Sequence, residues 1–262
     1  MMRTVLICHA DDPVGREALA GWLASFTDLA GVVAIREPKG RLWSRIRREF
    51  RRSGGVRFLD VLAFRAYYAL ALRKKDRRWQ DEAVDRLNAR YAPPPPSTRV
   101  LETPSPNSPE AVALLKELRP DVTVARCKTL LKKSVFSAAR SGTFVMHPGI
   151  CPEYRNAHGC FWALAKDDLG RVGMTLLKID RGVDTGPAYE YYRCDFDEVN
   201  DSHFVIQTKV VLDNLDGIGA KLREAHEGRA KPMDTSGRPS AEWGQPWLTS
   251  YLAWKARARK RS

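Results

Sequence analysis

The first 35 residues constrain the fold more than any other stretch. A short β-rich apolar run at 4–8 (TVLIC) leads to Asp12 and Pro13, residue types that cap and open a helix. The helical stretch that follows turns Ala18, Leu19, Trp22 and Leu23 toward one side, and a second apolar run occupies 29–35. Strand, helix and strand in that order imply a parallel sheet.

Later segments extend the pattern. Ser108 and Pro109 mark a helix start, with Ala111, Leu114, Leu115 and Leu118 as its apolar stripe and Pro120 as its stop. Strands are expected at 122–125, 143–146, 174–179 and 188–193, a helix near 134–140, and one long helix over 203–224 that buries Phe204, Val211, Leu212, Leu215, Ile218 and Leu222. The Pro-rich connector at 92–98 must run extended. The expected architecture is an open, mostly parallel Rossmann-like α/β sheet with a basic helical insertion. Such sheets bind ligands beyond the carboxyl ends of their strands.

Charge is unevenly distributed. The chain has 44 Lys and Arg against 31 Asp and Glu, a net +13, of which residues 39–91 hold +10 and the five cations after Leu252 another +5. The body is therefore close to neutral, and the basicity belongs to an insert at 39–91 and to a C-terminal extension at 227–262, which is expected to be irregular. Such an excess attracts anions (RNA, an acidic membrane surface or a phosphate-bearing substrate), or it forms a solvated helical face. The apolar stretch at 58–72, broken by Asp60 and Arg65, is too short and too charged to span a bilayer but suits peripheral contact with one. The opening MMRTVLICHADD lacks the pattern of a signal peptide, so a cytoplasmic location is expected. Five cysteines without a C-x-x-C pair indicate reduced thiols and no metal site. HADDPVG lacks G-x-G-x-x-G, and Asp11 and Asp12 would repel a pyrophosphate, which argues against a dinucleotide.

Two pieces carry chemistry. In GTFVMHPGICPEYRNAHGCFWAL a strand ends at His147, and in GMTLLKIDRGVDTGPAYEY a strand gives way to a Gly-flanked turn holding Asp184. An imidazole can exchange protons at neutral pH, and a carboxylate beside it fixes its tautomer and favours its protonated form. No serine or cysteine occupies a nucleophile elbow, so the attacking group belongs to the substrate.

The run HPGICPEYR followed by FWAL, then GMTL and DTGP, resembles the folate-dependent formyltransferase family. Its members include methionyl-tRNA, glycinamide-ribonucleotide and nucleotide-sugar amine formyltransferases. The resemblance spans roughly 100–215, and the family core is read as 1–226. It implies formyl transfer from 10-formyltetrahydrofolate to a primary amine through a tetrahedral intermediate. It also implies that His147 and Asp184 are the working pair. The family's oxyanion-donating asparagine falls on Val145, whose methyls cannot donate, so Asn156 or His158 supplies the donor, His147 acts alone, or the chain binds without transferring. By the same resemblance Lys128, Leu130, Leu131 and Phe136 face the folate and Arg181, Gly182 and Val183 close over it, with Arg155 a candidate for an acceptor phosphate. The expected acceptor is a phosphate-bearing amino sugar or a similar small anion. A nucleic-acid acceptor is less favoured, because the region beyond Phe196 is short for the barrel domain of the transfer-RNA members. The competing readings are an RNA- or membrane-surface-binding relative and a formyl-folate hydrolase.

Overall fold

The computed structural model describes residues 1–38, 47, 49–51 and 54–262; most of 39–53, the first part of the expected insert, lies outside them. Seven strands form one sheet: β1 (Arg3–His9), β2 (Asp28–Ile35), β3 (Arg99–Thr103), β4 (Val122–Arg126), β5 (Gly142–His147) and, beyond the short β6 (Arg155–Asn156), β7 (Met174–Lys178) and β8 (Ala188–Tyr192). Their spatial order is β3-β2-β1-β4-β5-β7-β8. The first five are parallel, β7 runs antiparallel to β5, and β8 antiparallel to β7. The sheet is the expected open α/β type. Strand order reverses between β1 and β4, and sheets of this type bind ligands beyond the carboxyl ends at such a reversal.

Both faces of the sheet are covered. On one, Val5, Ile7, Val33 and Ile35 pack against α4 (Pro109–Leu118), whose predicted stripe Ala111, Leu114, Leu115 and Leu118 is fully buried. The expected cap is present: Ser108 Oγ accepts the Ala111 N–H at 3.2 Å. On the other, Leu6, Phe144 and Leu176 meet a larger core that takes in Leu19, Trp22 and Leu23. These three come from a π-helical turn (Val14–Leu19) and α1 (Ala20–Ala24). Asp12 does not cap that helix. Its carboxylate instead accepts from Arg126 Nε at 2.8 Å, because β1 and β4 are neighbours and end side by side.

Two further expectations are corrected. The long helix is two, α7 (His203–Leu212) and α8 (Leu215–His226), divided where the Asn214 side chain donates to the Arg193 and Val210 carbonyls, each at 2.8 Å. The second half tolerates Gly217 and Gly219 because Tyr192 and Phe26 lie directly against them. The C-terminal extension is not irregular. It contributes a two-residue strand β9 (Glu242–Trp243) and the helix α9 (Leu248–Arg261), with Tyr251, Trp254 and Ala258 buried. Several of its cations are tied down as well: Arg261 pairs with Asp167 and Glu198, and Lys255 Nζ donates to the Glu198, Val199 and Asp201 carbonyls.

The insert is helical through α2 (Gly55–Tyr67), a π turn (Tyr68–Leu72) and α3 (Arg73–Arg90). Phe64 inserts among Phe161, His203 and Tyr251. The described insert therefore shares the main core. Replacing Leu115, which has no exposed surface, with alanine should cost about 2–5 kcal/mol in urea unfolding, because the strands above it cannot collapse into the void.

Candidate active site

His147 is the last residue of β5, and Asp184 lies in the loop between β7 and β8. They are 37 positions apart in the chain yet in contact: His147 Nδ1 is 3.3 Å from Asp184 Oδ2. The other ring nitrogen, Nε2, lies 2.8 Å from the Tyr154 carbonyl oxygen. The Tyr154 carbonyl only accepts, so a hydrogen bond there places a proton on Nε2. Asp184 Oδ2 also accepts the Asn156 backbone N–H at 2.8 Å. Asp184 takes a left-handed backbone with φ 50°, a conformation that aspartate tolerates better than most residues.

Glycine makes this approach possible. A Cβ on Gly149 would lie 2.4 Å from the Tyr154 oxygen and 2.8 Å from His147 Nε2, and one on Gly159 2.5 Å from the Gly149 Cα. Thr175, fully buried on β7, anchors the same loop, donating from its hydroxyl to the Gly149 carbonyl (2.7 Å) and accepting from the Cys151 N–H (2.9 Å). The H-P-G and H-G elements of the motif are thus requirements for backbone packing around the imidazole.

The remaining predicted residues divide. Val145 precedes His147 by two positions and so shares its side of β5. It packs against the small apolar cluster of Cys151, Leu177 and Ala188. Asn156 is not available as a donor to a reacting oxygen, since its amide nitrogen donates to the Trp243 carbonyl (2.7 Å) and to Glu242 (3.2 Å). His158 retains an uncommitted, solvent-sealed Nδ1. Its ring stands 5.8 Å from that of His203. Arg155 is partly committed: of the five N–H groups of its guanidinium, one donates to the Val183 carbonyl (2.8 Å) and one to Ser240 Oγ (2.9 Å). Leu130 and Lys128 are exposed beyond β4, on a loop that Asn107 pins through the Leu130 carbonyl and the Lys132 N–H. Leu131 is instead a core residue and Phe136 is packed against the same cluster, so neither faces the cleft openly. Arg181 and Gly182 are exposed on a turn closed by Asp180, which accepts from the Gly182 N–H and the Thr185 hydroxyl.

Sequence reasoning missed the strap on the outside of the site. β9 pairs in parallel with β6, matching Arg155 to Glu242 and Asn156 to Trp243. Trp243 stacks between Tyr154 and Trp162 and donates from Nε1 to the Glu153 carbonyl at 2.8 Å. Arg238 grips the buried Glu153 carboxylate with two bonds of 2.9 and 2.7 Å. It missed His9 too, whose Nε2 accepts the Lys128 N–H at 3.1 Å. The signal was available: His9 ends β1 as His147 ends β5. Burial, with Lys128 beside it, holds the His9 pKa below its usual value. Burial also pushes the Cys8 and Cys160 thiols up to about 12, so neither supplies a thiolate at neutral pH.

With this geometry in view, the comparisons with known proteins are decisive. The family model described as formyl transferase matches residues 77–214, just over half of the chain.

The chain belongs to the formyl transferase family.

Its curated relatives include the methionyl-tRNA formyltransferases of Dehalococcoides mccartyi (strain CBDB1), 37% identical over 105 residues, and of Kosmotoga olearia, 40% identical over 90. The matches cover 37% and 34% of this chain and 33% and 28% of those proteins. The chain therefore spans about a third of the length of the curated relatives it matches. Solved structures share the fold: a sugar N-formyltransferase from Shewanella sp FDAARGOS_354 (TM-score 0.56, 12% identity) over 98% of this chain and 88% of that one, and a phosphoribosylglycinamide formyltransferase from Anaplasma phagocytophilum (TM-score 0.54, 12% identity) over 92% and 96%. The strap at 238–243 lies outside the span of the family match and completes the loop that the match contains.

Two tests follow for this formyl transferase-family site. Arg238→Ala leaves Glu153 without its principal partner and should destabilise the fold by about 1.5–3 kcal/mol, measured by urea unfolding. The second concerns acid. Burial holds the His203 pKa well below its usual value and, helped by Lys128 and Arg65, pushes that of His158 down to about 4. The unfolded imidazoles protonate near 6.5 and the native ones resist. Stability is therefore complete above that pH and falls on acidification from about 6.5 toward 4, by up to roughly 1.4 kcal/mol per pH unit for each histidine. Unfolding free energies at pH 7 and pH 5 should show the loss, and His203→Gln should remove roughly half of it.

Proposed function

We propose that this protein transfers a formyl group from 10-formyltetrahydrofolate to a primary amine on a small acceptor. The observation that carries the reading is the 3.3 Å contact of His147 with Asp184 beyond the carboxyl end of β5, inside the span of the family match. The bound folate would supply the activated formyl carbon; the chain supplies proton handling and position. His147 holds a proton at Nε2, shared in this structure with the Tyr154 carbonyl, and hands it to the group that takes the place of that carbonyl. Asp184, fixed by the Asn156 N–H, holds the imidazole in orientation.

The residues around the cleft suit the folate in part. Leu130 offers an exposed apolar side chain, and Lys128 and Arg181 are exposed cations fit for carboxylates. With Val145 unable to donate and the Asn156 amide committed, His158 is the remaining candidate donor to the carbonyl oxygen: its depressed pKa keeps the ring neutral near pH 7, with an N–H on one nitrogen. A small acceptor accords with the sugar N-formyltransferase and the phosphoribosylglycinamide formyltransferase whose fold this chain shares.

The test is a panel of amino sugars, their nucleotide-linked forms and methionyl-tRNA, incubated with 10-formyltetrahydrofolate and assayed for tetrahydrofolate and formylated product. One acceptor should turn over. With it, His147→Ala and Asp184→Asn should each lower kcat by about 10²–10⁴-fold without changing the circular dichroism spectrum. Turnover unaffected by His147→Ala, or no folate binding and no product from any amine, refutes the reading. If His158 serves the carbonyl oxygen, His158→Ala should cost about 10²–10³-fold in kcat.

A further inference from the structure

The helical insert has two unlike faces. Toward the body, Val61 and Phe64 are buried, Arg57 lies over the Trp247 ring at 5.0 Å, and Asp60 accepts the Thr249 N–H at 3.1 Å. The outward face carries Val56, Leu59, Leu62 and Leu70, exposed at 86, 66, 39 and 90%, with exposed Ala63 and Ala66 between them. Their spacing of three or four residues makes one apolar ridge about 21 Å long. Among the described residues nothing covers it.

The exposed charges within this segment are of one sign. Between Val56 and Arg78 the acids are Asp60, bound to the Thr249 backbone, and Asp76, buried against Ser202. Arg65 flanks the ridge, and Arg73, Lys74, Arg77 and Arg78 stand exposed where it ends. The surface thus combines aliphatic side chains with a basic margin and no exposed carboxylate along these residues. A second copy would set like charge against like. A nucleic acid would satisfy the cations but offer no apolar medium for leucines, and the ridge holds no aromatic ring on which bases stack. A bilayer with anionic headgroups meets both demands: headgroups for the arginines, and the acyl boundary for the leucines.

We propose that residues 56–78 dock this protein flat on anionic membrane surfaces, with Val56, Leu59, Leu62 and Leu70 entering the interface. No helix among the described residues is long and apolar enough to cross a membrane, so the helix lies on the bilayer. The inference stands apart from the formyl-transfer reading, since none of these side chains belongs to the His147 site.

Co-sedimentation tests it, using the whole protein with vesicles of phosphatidylcholine alone and of equal parts phosphatidylcholine and phosphatidylglycerol. The protein should pellet with the anionic vesicles and stay in solution with the neutral ones. Leu59→Glu combined with Leu70→Glu should reduce binding at least about tenfold with the thermal unfolding midpoint unchanged, because both side chains are solvent-exposed. Arg73→Glu should weaken binding and its salt dependence together. Three results overturn the proposal: no binding to anionic vesicles, binding indifferent to the leucine substitutions, or a dimer in light scattering that the leucine substitutions dissociate. Binding to transfer RNA that competes with vesicles and ignores Leu59→Glu assigns the surface to nucleic acid and also overturns it.

Discussion

One carboxylate oxygen organises the candidate site. Asp184 Oδ2 is shared between the Asn156 N–H and the His147 ring, and so joins three chain segments that are otherwise separate: the end of β5, the loop after it, and the turn between β7 and β8. Close pairing of this kind is costly unless every partner is in place, since a buried charge with an unmet bond loses more than the bond contributes. The surrounding architecture supplies those partners. Gly149 and Gly159 let the loop fold against the imidazole, and Thr175 fastens it to β7. The antiparallel β7 and β8 bring the aspartate back across the sheet to meet a histidine that a parallel strand has delivered.

The C-terminal extension belongs to the same construction. Trp243 and Arg238 hold Tyr154 and Glu153 from outside, and the Tyr154 carbonyl is the group facing His147 Nε2. Farther out, Trp162 meets both Trp243 and Trp247, and Trp247 takes Arg57 of the insert. A line of aromatic contacts, ending in the Arg57 cation, therefore runs from the body-facing side of the insert to the loop around His147. Segments of unlike composition, one basic and helical and the other Pro-rich, are thereby packed as parts of one core rather than attached to it.

Much of the fold was legible because it rests on local signals. The β-α-β opening, the Ser108 cap and the stripe of α4 depend on residues within a few positions of one another. Errors arose where distant chain decided. Asp12 has the chemistry of a cap, yet Arg126 reaches it first, and the helix expected over 203–224 divides because Asn214 bonds the Arg193 carbonyl. The extension looked irregular because its strand has two residues and its helix is largely basic outside the buried face. Neither shows a periodicity strong enough to read before its partners are known.

Sequence alone determined the residue types at the carboxyl ends of the strands and the confinement of excess charge to two segments, which follow from chemistry carried by single side chains and from periods of two and 3.6 residues. The pairing of His147 with Asp184 was implied by the family resemblance, and the structure brings the two side chains to 3.3 Å. Only the tertiary structure decided which polar groups remain available. Asn156 and Arg155 are suitable donors as residue types, but the Trp243 carbonyl and Glu242 take the amide hydrogens of Asn156, the Val183 carbonyl and Ser240 take two of the five N–H groups of Arg155, and His158 keeps an unpartnered nitrogen. A hydrogen bond is a property of two groups at about 3 Å, and for these residues the second group lies tens of positions away in the chain.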